Sequence, residues 1–168
     1  CPVNVILNQF ALKLGKNYDE NGDFARAGTV NFEILTLLNT LPFYQSAPPK
    51  SLGIEWINEH VLPLLEGDHA ENILATFTEH AAFQIAEIFN QFKLKNVLFT
   101  GGGTYNSYLL ERIKNKTSTA IIVPEKELID FKEALIFALM GTLRIKNEIN
   151  ILSSATGSSA DHCSGILI

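Results

Sequence analysis

Apolar residues recur at the spacing of amphipathic helices along most of this chain. The longest apolar stripe follows residue 68 and consists of Ile73, Phe77, Ala81, Ile85, Ile88 and Phe92. Shorter stripes predict further helices over residues 3–14, 31–38, 55–65, 105–114 and 130–144. Proline modifies this pattern, because we expect Pro63 to bend one helix and three prolines to keep residues 41–53 from forming a regular one. The chain is therefore predicted to be rich in helix.

Two short runs break the helical period. Residues 96–100 form an apolar run that three glycines end, and residues 120–123 form another that Pro124 ends, so both predict buried strands. The order strand, glycine turn, helix, strand, helix is typical of an α/β fold with a parallel pair and a crossover helix. Since two strands are too few for a stable sheet, either further strands lie upstream of Cys1 or some predicted helices are wrong.

Polar residues at the starts of helices predict caps. Asn31 precedes an apolar helical stretch and is predicted to cap it. Asp68 with Glu71, and Asp130 with Glu133, have the spacing of a capping box. A turn is predicted at residues 19–22 from composition. The tail from residue 151 onward is rich in Ser, Gly and Ala, and its pattern predicts no element.

Charge and composition restrict the function classes. The chain has 18 acidic and 13 basic residues, and its longest basic patch, residues 112–116, is expected only to solvate a helix end. This weighs against nucleic-acid or anionic-membrane partners, and no apolar run approaches a membrane span. Two cysteines and no signal-peptide pattern favour the reducing cytoplasm. The four histidines lack metal-ligand spacing, so no metal site is predicted, and His60 and His80 are expected on helix surfaces.

The three glycines Gly101, Gly102 and Gly103 are the most informative local feature. Glycines after a strand let a flat ligand approach the backbone, and the following helix offers free N–H groups. The run is not a phosphate-binding P-loop, because no Lys-Ser/Thr follows, and it is not the dinucleotide fingerprint, because Asn106 replaces the third glycine. From the residues alone, a structural turn and a ligand site both remain open.

Five segments of the chain together resemble the anhydro-N-acetylmuramic acid kinase family. Residues 100–109 resemble its G-G-G-x-x-N-x-x-L adenosine motif. The other four are residues 18–28 (Y-D-x-x-G-x-x-A-x-x-G), 48–53 (P-P-K-S-x-G), 132–138 (K-E-A-x-x-F-A) and 154–157 (S-V-T-G, here Ser-Ala-Thr-Gly). The segments occur in the family's order and span nearly the whole chain.

The resemblance implies an actin-like (ribonuclease H-like) ATPase lobe, helix-rich with a small mixed sheet. Residues 1–168 would form the C-terminal, nucleotide-facing lobe, and the N-terminal lobe would be absent. The family uses ATP and Mg²⁺ to phosphorylate 1,6-anhydro-N-acetylmuramic acid, opening the ring with water to N-acetylmuramic acid 6-phosphate during cell-wall recycling. Its general base is an aspartate in D-x-G-P-x-N, of which residues 1–4 match only the end. We therefore expect no catalytic residue in the chain, no turnover by the chain alone, and a possible homodimer.

The resemblance also implies site residues. Gly101, Gly102, Gly103 and Asn106 would bind the nucleotide. Glu133 would contact the sugar. Asn4 and Lys50 are further expected substrate contacts, argued from their local setting, and Lys50 could reach a phosphate or the sugar. Two other interpretations stay open: a related kinase for a different sugar, and a binding protein that kept the lobe without catalysis.

Local alternatives to these roles also remain open. Asn4 shares a helix face with Asn8 and could instead cap the first helix. Glu133 could serve its capping box, and Lys50 follows two prolines that hold the backbone extended, with Ser51 expected to cap the next helix. In the turn at residues 19–22, the simplest interpretation is an Asx-type turn followed by a surface Arg26.

Overall fold

One long helix organises the larger of two units into which the chain divides. The computed structural model describes residues 2–47 and 50–166, with one unit ending at Pro124 and the other beginning at Glu125. The helices of the first unit are α1 (Val3–Lys13), α2 (Asp23–Ala27), α3 (Phe32–Asn39), α4 (Pro42–Gln45), α5 (Ile54–Trp56), α6 (Ala70–Gln91) and α7 (Ser107–Lys114). Its strands are β1 (Asn96–Leu98) and β2 (Ala120–Ile122). The second unit contains α8 (Lys126–Ile145) and α9 (Ser153–Thr156).

Helix α6 forms the centre of the first unit, because α1, α2, α3 and α7 all pack against it. Its predicted apolar stripe is confirmed as far as Ala81, since Ile73, Phe77 and Ala81 are buried. The prediction is wrong for the end of the stripe, where Ile88 is 48% and Phe92 65% exposed. In these last turns the buried residues are instead Ala86 and Phe89.

Proline shapes the segment between α3 and α6 as predicted, with one exception. After α5 the helix widens into a π-helical stretch, Ile57–Val61, and then tightens into a 3₁₀ stretch, Leu62–Leu65, whose first turn holds Pro63. The predicted interruption at this proline is thus confirmed. The expectation of no helix in residues 41–53 is wrong by one turn, because Pro42 begins α4 at a position where a proline loses no hydrogen bond.

At the starts of α3 and α6, the predicted cap Asn31 is confirmed and the predicted cap Asp68 is wrong. Asn31 Oδ1 accepts from the backbone N–H groups of Glu33 and Ile34, at 3.1 and 3.2 Å. Asp68 does not cap α6, which follows His69; its carboxylate instead accepts from the side chains of Asn31 and Asn72, at 3.0 and 2.9 Å. The carboxylate therefore joins the start of α3 to the start of α6.

The two strands form a parallel pair with α7 as the crossover, as predicted. Val97 lies opposite Ile121 in the register, and Phe99 N–H extends the ladder by donating to Ile122 O at 2.8 Å. The expected mixed sheet is wrong for the described part of the chain, whose one sheet is two-stranded and parallel. The physical reason is that the crossover helix returns the chain in the same direction.

The second unit begins with α8, four residues earlier than predicted. Asp130 and Glu133 therefore lie inside the helix, so the capping-box interpretation of Glu133 is wrong, and Asp130 instead forms an ion pair with Lys126. The tail is held by Asn150, whose Nδ2 donates to Met140 O and Ser164 O at 3.1 and 2.9 Å. Within the two described ranges, no helix combines the length and hydrophobicity needed to cross a bilayer.

Candidate functional site

The first turn of α1 lies against the glycine run. A Cβ added to Gly102 would be 3.2 Å from Asn4 Nδ2, and one added to Gly103 would be 3.7 Å from Asn4 Oδ1. Helix α1 starts at Val3 behind Pro2 and has no side-chain cap. The interpretation of Asn4 as a cap is therefore wrong, and its amide contacts the turn that follows β1.

The glycine run makes a turn that only glycine can make without strain. Gly101 has φ +88° and ψ 174°, a region essentially reserved for glycine. From there the backbone tightens into a 3₁₀ turn, Gly102–Tyr105, in which Thr104 N–H donates to Gly101 O at 2.9 Å. Within the described residues, and apart from its two chain neighbours, no atom lies within 4 Å of a Cβ built on Gly101, so this face of the turn is open.

Asn106 has a structural role that the sequence reasoning missed. Its Oδ1 accepts from Leu109 N–H at 2.9 Å and caps α7. An Asn directly before a helix is a usual sign of such a cap, so the signal was present in the sequence. The residue is 8% exposed. Since Oδ1 is used by the helix, Nδ2 is the atom that remains for a ligand.

The loop at residues 19–22 packs directly against Asn106. Gly22 has φ +78°, and a Cβ there would overlap Asn106 Oδ1 and lie 2.6 Å from Tyr108 Cβ. Ser107 Oγ donates to Asn21 O at 3.0 Å and ties the same loop to α7. The close approach of the two segments therefore requires a glycine at position 22.

Asp19 holds this loop by capping α2 rather than by forming an Asx-type turn. Its carboxylate oxygens accept from Phe24 N–H at 2.8 Å and Ala25 N–H at 3.0 Å. Burial raises the pKa of Asp19, and the backbone hydrogen bonds offset this only in part. Arg26, on the next turn, pairs with Glu111 at 2.8 Å and lies over the Tyr108 ring.

A cavity of about 480 Å³ lies where α1, this loop and the glycine turn meet. Its lining residues are Asn4, Leu7, Asn8, Tyr18, Asp19, Glu20, Asn21, Gly102, Tyr105 and Asn106. A second cavity, of about 360 Å³, is lined by all three glycines of the run and shares Asn4 and Gly102 with the first. The structure thus brings Asn4, Gly102 and Asn106 together, with Asn8 one helical turn from Asn4.

Helix α7, and with it Asn106, is held on α6 by a buried carboxylate. Glu79 accepts from Arg112 Nε at 2.6 Å and also from Lys116 Nζ. Burial alone would raise the pKa of Glu79, but the hydrogen bonds from these two cations outweigh it and lower the pKa. The expectation that the basic patch merely solvates a helix end is therefore wrong.

His80 is fully buried, so the expectation that it lies on a helix surface is wrong. Its Nδ1 lies 2.7 Å from Asn39 Oδ1 and its Nε2 lies 3.0 Å from the Tyr44 hydroxyl. Because the amide oxygen only accepts, Nδ1 carries the proton and Nε2 accepts from the hydroxyl. Desolvation lowers the pKa of His80 to about 3, and burial raises that of Tyr44 to about 12.

Lys50 does not line the first cavity, and Glu133 belongs to the second unit. The Lys50 ammonium donates to Phe43 O at 3.0 Å and Ser46 O at 3.1 Å, which places it at the end of α4. Ser51 does not cap α5, which follows Gly53, and Pro48 and Pro49 lie outside the described residues. Glu133 is an exposed residue of α8 in the second unit. The described ranges contain no group of three side chains that could hold a metal ion.

Comparison with known proteins identifies the family. The sequence profile for anhydro-N-acetylmuramic acid kinase matches residues 1–168. The chain belongs to the anhydro-N-acetylmuramic acid kinase family. The member from Francisella tularensis subsp. novicida (strain U112) is 31% identical over 171 residues, covering 95% of this chain and 45% of that kinase. The member from Bacillus cereus (strain AH820) is 33% identical over 172 residues, with 94% and 45% covered.

These relatives also show how much of a family member's length the chain spans. The chain spans about 45% of the length of the curated relatives that it matches. Both relatives carry the name anhydro-N-acetylmuramic acid kinase, so the family is one of sugar kinases. The match includes the glycine turn, the loop at residues 19–22 and α8, which contains Glu133.

Proposed function

We propose that this chain supplies the nucleotide-facing part of an ATP-dependent kinase acting on 1,6-anhydro-N-acetylmuramic acid. The reaction would transfer the γ-phosphoryl group and open the anhydro ring with water, giving N-acetylmuramic acid 6-phosphate in the cytoplasm for cell-wall recycling. The observation that carries the proposal is the meeting of Asn4, Gly102 and Asn106 around one cavity. The names of the relatives support the choice of sugar.

The proposed architecture is an actin-like lobe that works with a second, N-terminal lobe. Support comes from the glycine turn, which follows a parallel strand, since ligands of open α/β sheets gather at the carboxyl ends of strands. The proposal places the general base and the γ-phosphate contacts outside this chain. Phosphoryl transfer depends mainly on positioning across a cleft, so we expect the chain alone to show no turnover.

The residues around the glycine turn fit a nucleoside. The first cavity, at about 480 Å³, falls within the range of roughly 300–1,000 Å³ usual for small-molecule sites. The open face of Gly101 allows a flat group to approach the backbone, and Asn106 Nδ2 can donate to it. Bound ATP would supply the phosphoryl group. Mg²⁺ is usually held by phosphates and one or two carboxylates, and the proposal assigns it no ligand in this chain.

The proposed sugar contacts are Asn4, Glu133 and Lys50. Glu133 has no capping role to explain its presence, because α8 starts at Lys126. Lys50 must release the carbonyl oxygens of α4 before it can reach a ligand. A homodimer also stays a prediction, to be checked by sedimentation of the purified chain.

Two measurements test the proposal. The first is an NMR titration of ATP into the chain, in which we expect backbone signals of residues 101–106 to shift. The second joins the chain to the unmatched part of the Francisella kinase and follows sugar 6-phosphate by mass spectrometry. We expect the hybrid to turn over and Glu133→Gln to reduce its activity without a change in melting temperature, with Glu127→Gln on the same helix as the control. ATP binding that leaves residues 101–106 unmoved, or an active hybrid that rejects this sugar, would contradict the proposal.

A further inference from the structure

We infer that the middle of α8 is a docking element that the N-terminal lobe of the proposed kinase surrounds. The inference rests on the proposed function and deepens it, because it names the surface through which the two parts of the kinase meet. That surface is the apolar segment of α8, residues 134–139, which consists of Ala134, Leu135, Ile136, Phe137, Ala138 and Leu139.

The apolar segment is exposed on every side of the helix. Six consecutive residues point in all directions around the axis, because one turn takes about 3.6 residues. All six are exposed, among them Leu135 at 58%, Ile136 at 46% and Phe137 at 68%. Of the 20 residues of α8, all of which the structure describes, Ile129 is the one that is buried. The segment therefore lacks the single apolar stripe with which a surface helix packs on its core.

A helix of this composition needs cover from other parts of a protein. Helices that are apolar all round are found in the cores of larger proteins, and an exposed apolar surface of this kind marks an interaction site. Packing stabilises most helices more than propensity does, and Gly141 lowers the propensity of this one. We therefore expect α8 to open readily until a partner covers it.

The lengths of the relatives identify that partner. The chain covers 45% of the Francisella and Bacillus cereus kinases, so the rest of each is longer than the part that it matches. The family profile includes α8, so this helix belongs to the family's fold and is not an appendage to it. A partner large enough to surround α8 is thus the part of a family member that lies outside the match.

Two other partners fit the segment less well. The uncharged stretch of α8 covers residues 134–143, about half of the roughly 20 residues that a bilayer requires. A second copy of α8 would cover one face of the segment and leave the other faces in water. Glu133 directly precedes the segment, so docking of the N-terminal lobe would also bring the proposed sugar contact to that lobe.

The test compares hydrogen–deuterium exchange of the chain alone with that of the hybrid carrying the unmatched part of the Francisella kinase. We expect the amides of residues 134–139 to exchange at least about tenfold more slowly in the hybrid, because docking suppresses local opening of α8. The amides in the middle of α6 should keep their rate, which shows that the first unit is unchanged. Leu135→Glu in the hybrid should return α8 to the fast rate. Leu37→Glu, at an exposed leucine of α3, is the matched control and should not.

The other outcomes separate the docking from the proposed activity. Fast exchange of α8 in the hybrid overturns the inference, and an active hybrid would then leave the proposed function standing. Slow exchange in a hybrid that rejects the anhydro sugar supports the docking, and the proposed substrate fails. Slow exchange in the chain alone also overturns the inference. If it occurs at every concentration the first unit covers the segment, and if it occurs only where sedimentation shows a dimer the partner is a second copy.

Discussion

Replacing His80 with glutamine should flatten the acid dependence of stability. Burial lowers the pKa of His80 from 6.5 to about 3, and unfolding returns the ring to water. Between these two values the unfolded chain binds one proton more than the native chain. The free energy of unfolding therefore falls by about 1.4 kcal/mol for each pH unit below 6.5. Because the native pKa is lowered, the stability that neutral His80 allows is complete above pH 6.5 and is lost as the pH falls toward about 3.

The size of the effect follows from the same shift. Lowering the pH from 6.5 to about 4.5 should remove roughly 2–3 kcal/mol through His80 alone. Urea unfolding of the chain at a series of pH values gives the slope of stability against pH, which measures the number of protons taken up. His80→Gln should lower that number by about one, whatever the variant does to stability at neutral pH. His60→Gln, an exposed histidine, is the matched control.

The number of protons taken up on unfolding can also contradict the burial of a neutral His80. If His80→Gln and the unchanged chain take up the same number of protons on unfolding, His80 is not held neutral by burial. The hydrogen bonds to Asn39 and Tyr44 would then not describe the protein in solution.

Three further substitutions test the packing around the site. Gly22→Ala should lower the free energy of unfolding, measured by chemical denaturation, by at least about 2 kcal/mol, because the new Cβ sits on a left-handed backbone and overlaps the Asn106 cap. Gly15→Ala should lose less, because Gly15 also has a left-handed backbone but no described atom outside its chain neighbours lies within 4 Å of the added Cβ. Glu79→Gln should lower the free energy of unfolding by roughly 2–3 kcal/mol, because Arg112 and Lys116 lose their carboxylate partner, and an unchanged melting curve would contradict these ion pairs. Asn31→Ala should cost about 1–2 kcal/mol by calorimetry, since it removes a helix cap and a hydrogen bond to Asp68; a loss below about 0.3 kcal/mol would contradict both contacts.

Much of the fold follows from local pattern. The stripe through Phe77 predicts the long helix α6, and the change of period at residue 96 predicts a strand, because both signals depend only on near neighbours. Asn31 was predictable as a cap for the same reason. The exposure of Ile88 and Phe92 at the end of the stripe was not, because tertiary packing covers Ala86 and Phe89 there instead.

The tertiary contacts of polar residues were not predictable from spacing. His80 is polar and seemed suited to a surface, yet Asn39 and Tyr44, 41 and 36 residues away, satisfy both ring nitrogens. Asp68 has the spacing of a cap, but its carboxylate accepts a hydrogen bond from the side chain of Asn31, which is 37 residues away. At the site, the glycine run and Asn106 were predicted by resemblance. The contact of Gly22 with Asn106 was not, since it requires α2 and α7 to be packed on the same helix.

The central place of α6 has a consequence for how the first unit folds. Helices α1, α2, α3 and α7 come from both sides of it in the sequence, and all pack on its surface. None of these shorter helices is long enough to be stable alone in water, so each needs α6 before its own contacts can form. The nucleus of folding should therefore include the middle of α6, around Phe77, and its backbone amides should exchange with deuterated water more slowly than those of α2 or α4.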